Sequence, residues 1–449
     1  MGGCFAPTKK EKNQCNEFTK MKTIFYFLSF LIIGFQITLQ VSYALDFEFE
    51  IPISDPSEMV EFSRNPHDQI ASDSQGRIHL VYSILDSSVS PPVYHVMYRS
   101  IENSVSSPPI RVDQGTVGGG RHPSLTLDAQ NTAHVVWHDM RNCTAAWNWI
   151  DNIEIYYNRK PANGEFPSDD VRLTETHADH KADNGYLPRI ATTPDGKLHV
   201  VWYDFHRNGN NAEIYLKTSD PQGVFDRTPG IDSDRIVGID PGEEFSSCWT
   251  PSLAPNGSGG VDVLWGFSKG YSVYYQIQTR FVSADGSLGP IETIADQSGT
   301  FYDPPRLAYD SQGNLGLAYV VSRNSGSGIA FQYRPKGQDW NSPFIVDSGE
   351  NDSLQPDVAF DSQGKAYIVW QENAGGIYEI HLAVVDPHSR TVELRKRISS
   401  DDADARTPAI AIDPTDRAHI AWCDYRDENA PRIFYVRETR TGVKRWSLF

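Results

Sequence analysis

The chain consists of short runs in which apolar and polar residues alternate, separated by turns rich in Asp, Gly, Ser and Pro. Such alternation is typical of β-strands with one buried face, and nothing between the runs has a helical period. The turns include Asp73-Ser-Gln-Gly76, Asp310-Ser-Gln-Gly313 and Asp361-Ser-Gln-Gly364, in which Asp opens the turn and Gly supplies a positive φ. The pattern therefore predicts an all-β protein made of antiparallel hairpins.

The hairpins recur at a fixed interval, because a proline and an aromatic residue stand fourteen positions apart in copy after copy. The pairs are Pro123/Trp137, Pro188/Trp202, Pro251/Trp265, Pro305/Tyr319, Pro356/Trp370 and Pro408/Trp422, with Asp68/Tyr82 as a degenerate first copy. Each copy continues with a third apolar run and a shorter, more polar fourth run. Four short strands per repeat predict a seven-bladed β-propeller of four-stranded antiparallel blades.

The two ends of the repeat array predict how the ring closes. The last copy stops at Trp446 to Phe449, where a fourth strand is expected to begin, while Met59 to Ser63, before the first copy, resembles an extra strand. We expect this N-terminal strand to complete the last blade and so remove the open sheet edges. Residues 45–449 are therefore predicted to form a single propeller domain.

Residues 1–44 are predicted to be an N-terminal extension followed by a signal peptide. Met21-Lys22 precedes the apolar stretch Ile24 to Leu39 and the small-residue exit Ser42-Tyr43-Ala44, with cleavage expected after Ala44. A membrane anchor is the alternative, but polar residues interrupt the apolar run. We therefore expect a secreted protein, extracellular or periplasmic, without stable membrane insertion.

The formal charge of the chain is −18, from 40 basic and 58 acidic residues. Nonspecific nucleic-acid binding depends on counterion release by clustered Lys and Arg, so we expect no nucleic-acid partner. An acidic protein can still bind an anionic polymer through a local basic pocket, although its overall field slows the encounter. We expect a monomer that binds a polysaccharide or another glycan.

Loop length varies on only one face of the predicted propeller, since the interval from proline to aromatic residue never changes. Functional residues concentrate on variable loops held by a rigid scaffold, and the longest such loops border blades two to four. The candidate catalytic residues on this face are His122, His138, Tyr186 and Arg207. The candidate substrate-binding residues are Arg189, Tyr203, His206, Trp147, Trp149, Tyr302 and Arg306.

Residues that recur with the blades are interpreted as structural. His79, His134, His199 and His419 occupy one repeat column. Asp139, Asp204 and Asp424 occupy another, each followed by an arginine, Arg141, Arg207 or Arg426, and these pairs are expected to hold the loops through hydrogen bonds to the backbone. We expect no cofactor, and the alternative is a divalent cation held by His177 and His180.

The blade pattern Pro-x-Ile/Leu-Ala…Gly-x-x-His-Val-Val-Trp-x-Asp…Glu-Ile-Tyr-Tyr resembles that of the sialidase-like propeller superfamily over the whole predicted domain. The chain lacks the Asp-box of that superfamily, Ser-x-Asp-x-Gly-x-x-Trp, and its arginine triad and tyrosine nucleophile have no assigned counterparts here. The resemblance therefore implies the propeller fold and a carbohydrate ligand rather than neuraminidase activity.

Four residues also resemble the propeller polysaccharide lyases known as ulvan lyases, which place two histidines, a tyrosine and an arginine in chain order on neighbouring blades. His122, His138, Tyr186 and Arg207 follow that order, although Met140-Arg141 stands where the family has a further histidine. The resemblance implies β-elimination on a uronate, in which Arg189 or Arg207 would bind the carboxylate, His122 or His138 would be the base and Tyr186 the acid.

Three functions remain open at this point. They are a lyase acting on uronate-containing glycans, a sialidase-like glycoside hydrolase, and a non-catalytic glycan-binding or interaction propeller. Hydrolysis requires two carboxylates about 5 to 9 Å apart, and no acidic pair is evident on the variable face. In the lyase hypothesis, replacing His122 or His138 by Ala removes activity while the melting temperature stays nearly unchanged.

Overall fold

The computed structural model describes residues 44–61, 69–143, 153–174, 185–205, 211–226, 235–238, 247–268, 274–298, 303–323, 326–349, 351–400, 403–426 and 431–441. These residues contain strands and turns and no α-helix. None of them belongs to a helix that is long and apolar enough to cross a membrane. Residues 47 to 439 form one compact unit, and the second unit groups residues 1–46 with 440–449.

The described strands form seven antiparallel sheets, which confirms the seven-bladed propeller. The first blade contains β3 (Val60–Glu61), β4 (Ile70–Ser72), β5 (Ile78–Asp86), β6 (Val93–Glu102), β7 (Val105–Ser106) and β8 (Ile110–Arg111). The second contains β9 (Gly120–Leu127), β10 (Ala133–Asp139), β11 (Glu154–Lys160) and β12 (Val171–Arg172). The third contains β13 (Tyr186–Thr192), β14 (Leu198–Asp204), β15 (Glu213–Thr218) and β16 (Arg235–Gly238).

The remaining four blades follow the same order from the innermost strand outward. The fourth contains β17 (Ser247–Pro255), β18 (Val261–Ser268), β19 (Tyr274–Val282) and β20 (Leu288–Ser298), and the fifth contains β21 (Arg306–Tyr309), β22 (Leu315–Arg323), β23 (Gly326–Arg334) and β24 (Phe344–Ile345). The sixth contains β25 (Ser353–Phe360), β26 (Ala366–Ala374), β27 (Ile377–Asp386) and β28 (Thr391–Arg397). The seventh contains β29 (Ala405–Ile412), β30 (Ala418–Asp424) and β31 (Arg432–Thr441), together with β1 (Ala44–Phe47) and β2 (Ile51–Pro52).

The ring is closed at its centre by the first strand of every blade. Contacts join β4 to β9, β9 to β13, β13 to β17, β17 to β21, β21 to β25, β25 to β29, and β29 back to β4. The repeat tryptophans Trp137, Trp202, Trp265, Trp370 and Trp422 are fully buried in the apolar layers between blades. The fixed interval in the sequence therefore places one large aromatic side chain in each of these layers, where burial contributes most to stability.

An N-terminal strand closes the last blade as expected, but it is not the predicted one. Val60–Glu61 pairs with β5 of the first blade, whereas Ile51 and Pro52 pair with Tyr435 and Phe434 of β31. Side chains fix this joint: Glu48 accepts a hydrogen bond from Arg437 at 3.1 Å, and Glu50 forms an ion pair with Arg426 at 2.8 Å. The prediction that Met59 to Ser63 closes the ring is therefore wrong.

The repeated histidines are buried connectors within their blades. His134 Nε2 lies 3.1 Å from Asp128 of the preceding turn, and its Nδ1 lies 2.7 Å from the Tyr157 hydroxyl on the third strand. His79 and His419 make the same two contacts in their own blades. In the third blade Thr193 replaces the carboxylate and lies 3.1 Å from His199. These imidazoles therefore hold the hairpin turn against the third strand.

We predict that stability falls as the pH drops below about 6.5, the ordinary pKa of histidine. Burial lowers the pKa of His79, His134 and His419, and it lowers that of His199 to about 4. Below this pH the histidines of the unfolded chain bind protons, while the same histidines stay neutral in the folded protein, so acid favours unfolding. His199 alone accounts for about 3 kcal/mol between pH 6.5 and 4.

Urea unfolding at pH 8, 6 and 4.5 measures this loss. His199→Gln keeps a polar side chain that does not titrate, so it is expected to flatten the acid side of the stability profile. A profile identical to that of the unmodified protein would show that His199 does not titrate differently on folding.

The repeat proline marks a β-bulge in the first strand. The register between first and second strands shifts beside Pro123, Pro188, Pro251, Pro356 and Pro408. The residue before each proline has a positive φ between 49° and 54°: His122, Leu187, Thr250, Gln355 and Thr407. A bulge adds one unpaired residue to a strand, and proline has no N–H to lose there. The bulge therefore changes the direction of the first strand in these five blades before the strand reaches the rim.

Candidate functional site

The rim beyond the bulges is built from two columns of register partners. The residue two before the proline pairs with the residue that follows the tryptophan: Arg121 with His138, Tyr186 with Tyr203, and Trp249 with Gly266. Register partners in an antiparallel pair present their side chains on one face of the sheet. Blades two, three and four therefore place their rim side chains side by side.

Three of the candidate catalytic residues meet at this rim. The rings of His122 and His138 lie 4.7 Å apart, and the ring of His138 meets the edge of Tyr186 at 5.7 Å. His122 and Tyr186 are half-buried, whereas His138 is 2% exposed and lies between them. The strand ends of blades two and three thus form one cluster of two imidazoles and a phenol.

Burial fixes the protonation states in this cluster. It holds the pKa of His138 well below the usual range, and the nearby Arg121 lowers it further, so this imidazole is neutral at pH 7. Neither ring nitrogen of His138 hydrogen-bonds to any residue that the structure describes. Burial also raises the pKa of the Tyr186 phenol, so Tyr186 stays protonated and can donate a proton.

The burial of His138 changes the expected effect of replacing it. An imidazole that is 2% exposed cannot be removed without leaving a cavity, so His138→Ala is expected to lower the melting temperature. We therefore no longer expect an unchanged melting temperature for His138→Ala, and for His122→Ala it stays a prediction.

Arg121 is the cation of the cluster, and the sequence analysis did not select it. Its guanidinium stacks over the Tyr94 ring, 4.4 Å from the ring centroid, and burial lowers its pKa to about 10. Gly119, two residues before Arg121, has a φ of +89° and lies so close to the backbone of Tyr94 that a Cβ there would collide with it. This close approach brings Arg121 next to the Tyr94 ring. The side chain of Arg121 is half-buried, and its positive charge acts on His138.

An aromatic cluster continues the rim toward blade four. Tyr186 stacks on Tyr203 at 5.4 Å, Tyr203 meets Trp249 at 5.5 Å, and Phe205 meets Trp249 at 5.7 Å. All of these side chains are half-buried. The Trp249 indole is fixed by a 3.0 Å hydrogen bond that Nε1 donates to Ser268. From His122 to Trp249, the described residues thus form a continuous row of rings.

Arg189 and Arg306 lie away from this surface, in the column that follows the repeat proline. Their neighbours in this column are Gln69, Ser124, Ser252, Asp357 and Ala409, and every member is buried. Arg306 contacts Asp357 at 3.4 Å and Ser252 at 3.3 Å, while Ser124 accepts a hydrogen bond from the backbone of Ile190. Both arginines are at most 2% exposed, so neither guanidinium reaches a ligand in this conformation.

The loop-holding role of the repeated Asp–Arg pairs is visible in two blades. Asp139 accepts hydrogen bonds from the Trp137 indole at 2.9 Å and from the Arg141 backbone at 2.8 Å. Asp424 accepts the corresponding bonds from Trp422 at 3.3 Å and Arg426 at 3.0 Å. These carboxylates are occupied by their own blade.

Several candidates lie outside the described residues. They are Arg207, His206, Trp147, Trp149 and Tyr302, together with the possible metal ligands His177 and His180. Among the residues that the structure does describe, no group of three His, Cys, Asp or Glu side chains is placed to hold a metal ion. The residues that the sequence analysis missed are Arg121, Phe205 and Trp249. The available signal was that Arg121 and Trp249 share the column of Tyr186, two before the proline.

No family model matches the sequence, and neither does any curated protein. Among solved structures, an ulvan lyase of polysaccharide lyase family PL25 is similar with a TM-score of 0.57 and 10% identity, over 86% of this chain and 95% of that one. A protein of unknown function from Dyadobacter fermentans has a TM-score of 0.51 and 9% identity, over 88% and 99%. The GH93 α-L-arabinofuranosidase of Fusarium graminearum has 0.50 and 12%, over 77% and 99%. At these identities the similarity shows the propeller fold and nothing further.

Proposed function

We propose that the protein is a polysaccharide lyase that cleaves uronate-containing glycans by β-elimination. The observation that carries this proposal is the cluster of Arg121, His122, His138 and Tyr186, in which a cation, a half-buried imidazole and a protonated phenol lie at one rim. One similarly folded ulvan lyase has been solved bound to -[GlcA(1-4)Rha3S]-, which supports a uronate as the substrate.

Each group has a distinct role in the elimination. Arg121 neutralises the uronate carboxylate and so makes the C5 proton more acidic. His122 takes that proton, the C5–H electron pair forms the C4=C5 double bond, and the C4–O bond breaks. Tyr186 donates its proton to the departing oxygen. To complete the cycle, His122 releases the C5 proton to solvent and the Tyr186 phenolate takes up a proton from solvent, which is favourable because burial raises the pKa of the phenol.

His138 acts as a positioning residue, since it is buried and touches the reacting groups only through its neighbours. Its neutral ring packs against both His122 and Tyr186 and avoids a second positive charge beside Arg121. The carboxylates nearest in the chain, Asp139 and Asp204, are buried, and Asp139 is engaged by Trp137 and Arg141. This arrangement favours elimination over hydrolysis by a carboxylate pair.

The test is to incubate the mature protein with a panel of uronate polymers and follow the ultraviolet absorbance of the unsaturated product. We expect absorbance to rise with at least one polymer and Tyr186→Phe to suppress the rise. A protein that binds glycans on an array but produces no unsaturated uronate would instead be a binding propeller. The half-buried aromatic row from Tyr186 to Trp249 is the observation that favours this second function.

A further inference from the structure

We propose that the rim of blades three and four is a separate subsite that binds an uncharged sugar residue next to the uronate. The inference rests on the proposed function, because it concerns the neighbouring residue of the same glycan. It names the substrate class more narrowly, as a polymer in which uronates alternate with neutral sugars.

The stacking surface consists of Tyr203, Phe205 and Trp249. Tyr203 and Phe205 lie 6.1 Å apart, and each meets the Trp249 ring at an angle of 66° to 68°. Half-buried aromatic planes that are fixed by packing suit the apolar C–H face of a pyranose ring, and they lose little conformational entropy on binding. Tyr186 stacks on Tyr203, so this surface is continuous with the catalytic cluster.

Gly266 in the fourth blade leaves a space at this rim that the side chain of Tyr275 occupies. Gly266 occupies the column that holds His138 in blade two and Tyr203 in blade three, and it pairs with Trp249. A Cβ at Gly266 would collide with the hydroxyl of Tyr275, so the Tyr275 ring from the third strand fills the place of the missing side chain. The buried hydroxyl has no hydrogen-bond partner among the described residues. The inner wall of the subsite is thus aromatic and uncharged.

The charge beyond Trp249 is negative. Asp303 occupies the repeat position in blade five that Trp249 occupies in blade four, two residues before the proline. Its negative charge contributes to the raised pKa of Tyr275. Burial raises the pKa of Asp303 to about 6, which leaves it largely ionised at pH 7. The described residues of the stacking surface include no cation, and Arg121 lies at the opposite end of the row. A sulfate or carboxylate on the stacked sugar would therefore be repelled.

The overall charge of the chain also favours a substrate with uncharged sugars between its uronates. A chain with a net charge of −18 attracts a densely anionic polymer poorly, whereas a polymer with neutral residues between its uronates meets less repulsion. One local cation at Arg121 is then sufficient to bind one carboxylate per repeat.

The experiment uses two glucuronate–rhamnose tetrasaccharides, one carrying 3-sulfate on rhamnose and one without it. Their affinities are measured by calorimetry for the His122→Ala protein, in which turnover is expected to be slow. We expect the unsulfated probe to bind at least about tenfold more tightly. Adding Trp249→Ala is expected to weaken its binding about tenfold or more, whereas Trp249→Phe retains most of the affinity. Asp303→Asn is expected to reduce the difference in affinity between the sulfated and unsulfated probes.

Equal binding of both probes, tighter binding of the sulfated probe, or no loss in Trp249→Ala would overturn the subsite. Failure of the unsulfated probe to bind would overturn it as well. Absence of an unsaturated product from the unmodified enzyme is a separate result. It would remove the lyase function, while a Trp249-dependent affinity would keep the sugar subsite.

Discussion

His122→Ala is expected to reduce the rate of uronate elimination by about 10²- to 10⁴-fold, the usual contribution of a positioned general base. His122 is half-buried at the bulge of the first strand in blade two, and its ring lies 4.7 Å from His138. Because its side chain reaches the rim, removing the imidazole leaves no large cavity. The melting temperature is therefore expected to stay within a few degrees of the unmodified value.

The matched control is His388→Ala, which removes an exposed histidine in the sixth blade. Its elimination rate and melting temperature are both expected to stay unchanged. Activity is measured as the initial rise in ultraviolet absorbance, and stability by thermal unfolding. Full activity in His122→Ala would show that another group removes the C5 proton, and the proposed assignment of roles would be lost.

Arg306→Ala is expected to destabilise the fold by about 3 to 5 kcal/mol, because it removes one partner of a buried ion pair. Arg306 is 2% exposed and contacts Asp357 of the next blade at 3.4 Å. Asp357 keeps hydrogen bonds from the backbone of Ile410 at 2.9 Å and Val358 at 3.0 Å, but its charge loses the cation beside it.

The pH dependence of this loss has a definite sign. Burial already raises the pKa of Asp357, and removing Arg306 raises it further, since the cation favours the ionised carboxyl. A folded-state pKa above the unfolded value means that protonation favours the folded state at low pH. The destabilisation is therefore expected to be smaller at pH 5 than at pH 8, as measured by urea unfolding.

Two further variants separate charge from packing at this site. Arg306→Met combined with Asp357→Asn keeps an acceptor for Ile410 and removes both charges, so it is expected to recover part of the loss. Lys365→Ala breaks solvent-accessible ion pairs with Asp386 and Glu393 and is expected to cost only about 1 kcal/mol. An Arg306→Ala protein as stable as the Lys365→Ala protein would show that the buried pair contributes little.

The blades could be predicted from the sequence because their signal is local and repeated. Alternation defines each strand, and the fixed interval from proline to tryptophan defines the hairpin that carries it. The closing strand could not be predicted in the same way. The closing strands are β1, Ala44–Phe47, and β2, Ile51–Pro52, each too short to show a clear alternation. The joint also depends on the side chains of Glu48 and Glu50, whose partners Arg437 and Arg426 are far away in the sequence.

The rim was harder to predict because the residue before the repeat proline does not indicate a bulge. The residues with positive φ before the proline are His, Leu, Thr, Gln and Thr, none of which is the glycine that usually signals this conformation. Alternation along a strand assigns each side chain to one face of the sheet, but the extra residue of a bulge shifts this assignment by one position. If the bulge is not recognised, every side chain before the proline is assigned to the wrong face. The sequence therefore places Arg189 at the surface, and it does not identify Arg121 and Trp249 as neighbours of Tyr186.

The joint in the last blade also sets a condition on biosynthesis. Glu50 bonds with Ser400 and Glu48 with Arg437, so this segment acquires its partners only after the chain has been extended by a further 350 to 389 residues. Each doubling of the intervening length adds about 0.6 kcal/mol to the entropic free-energy cost of bringing the two segments together. Until they meet, six sheets can form while the seventh stays incomplete, with an unpaired edge exposed to other chains.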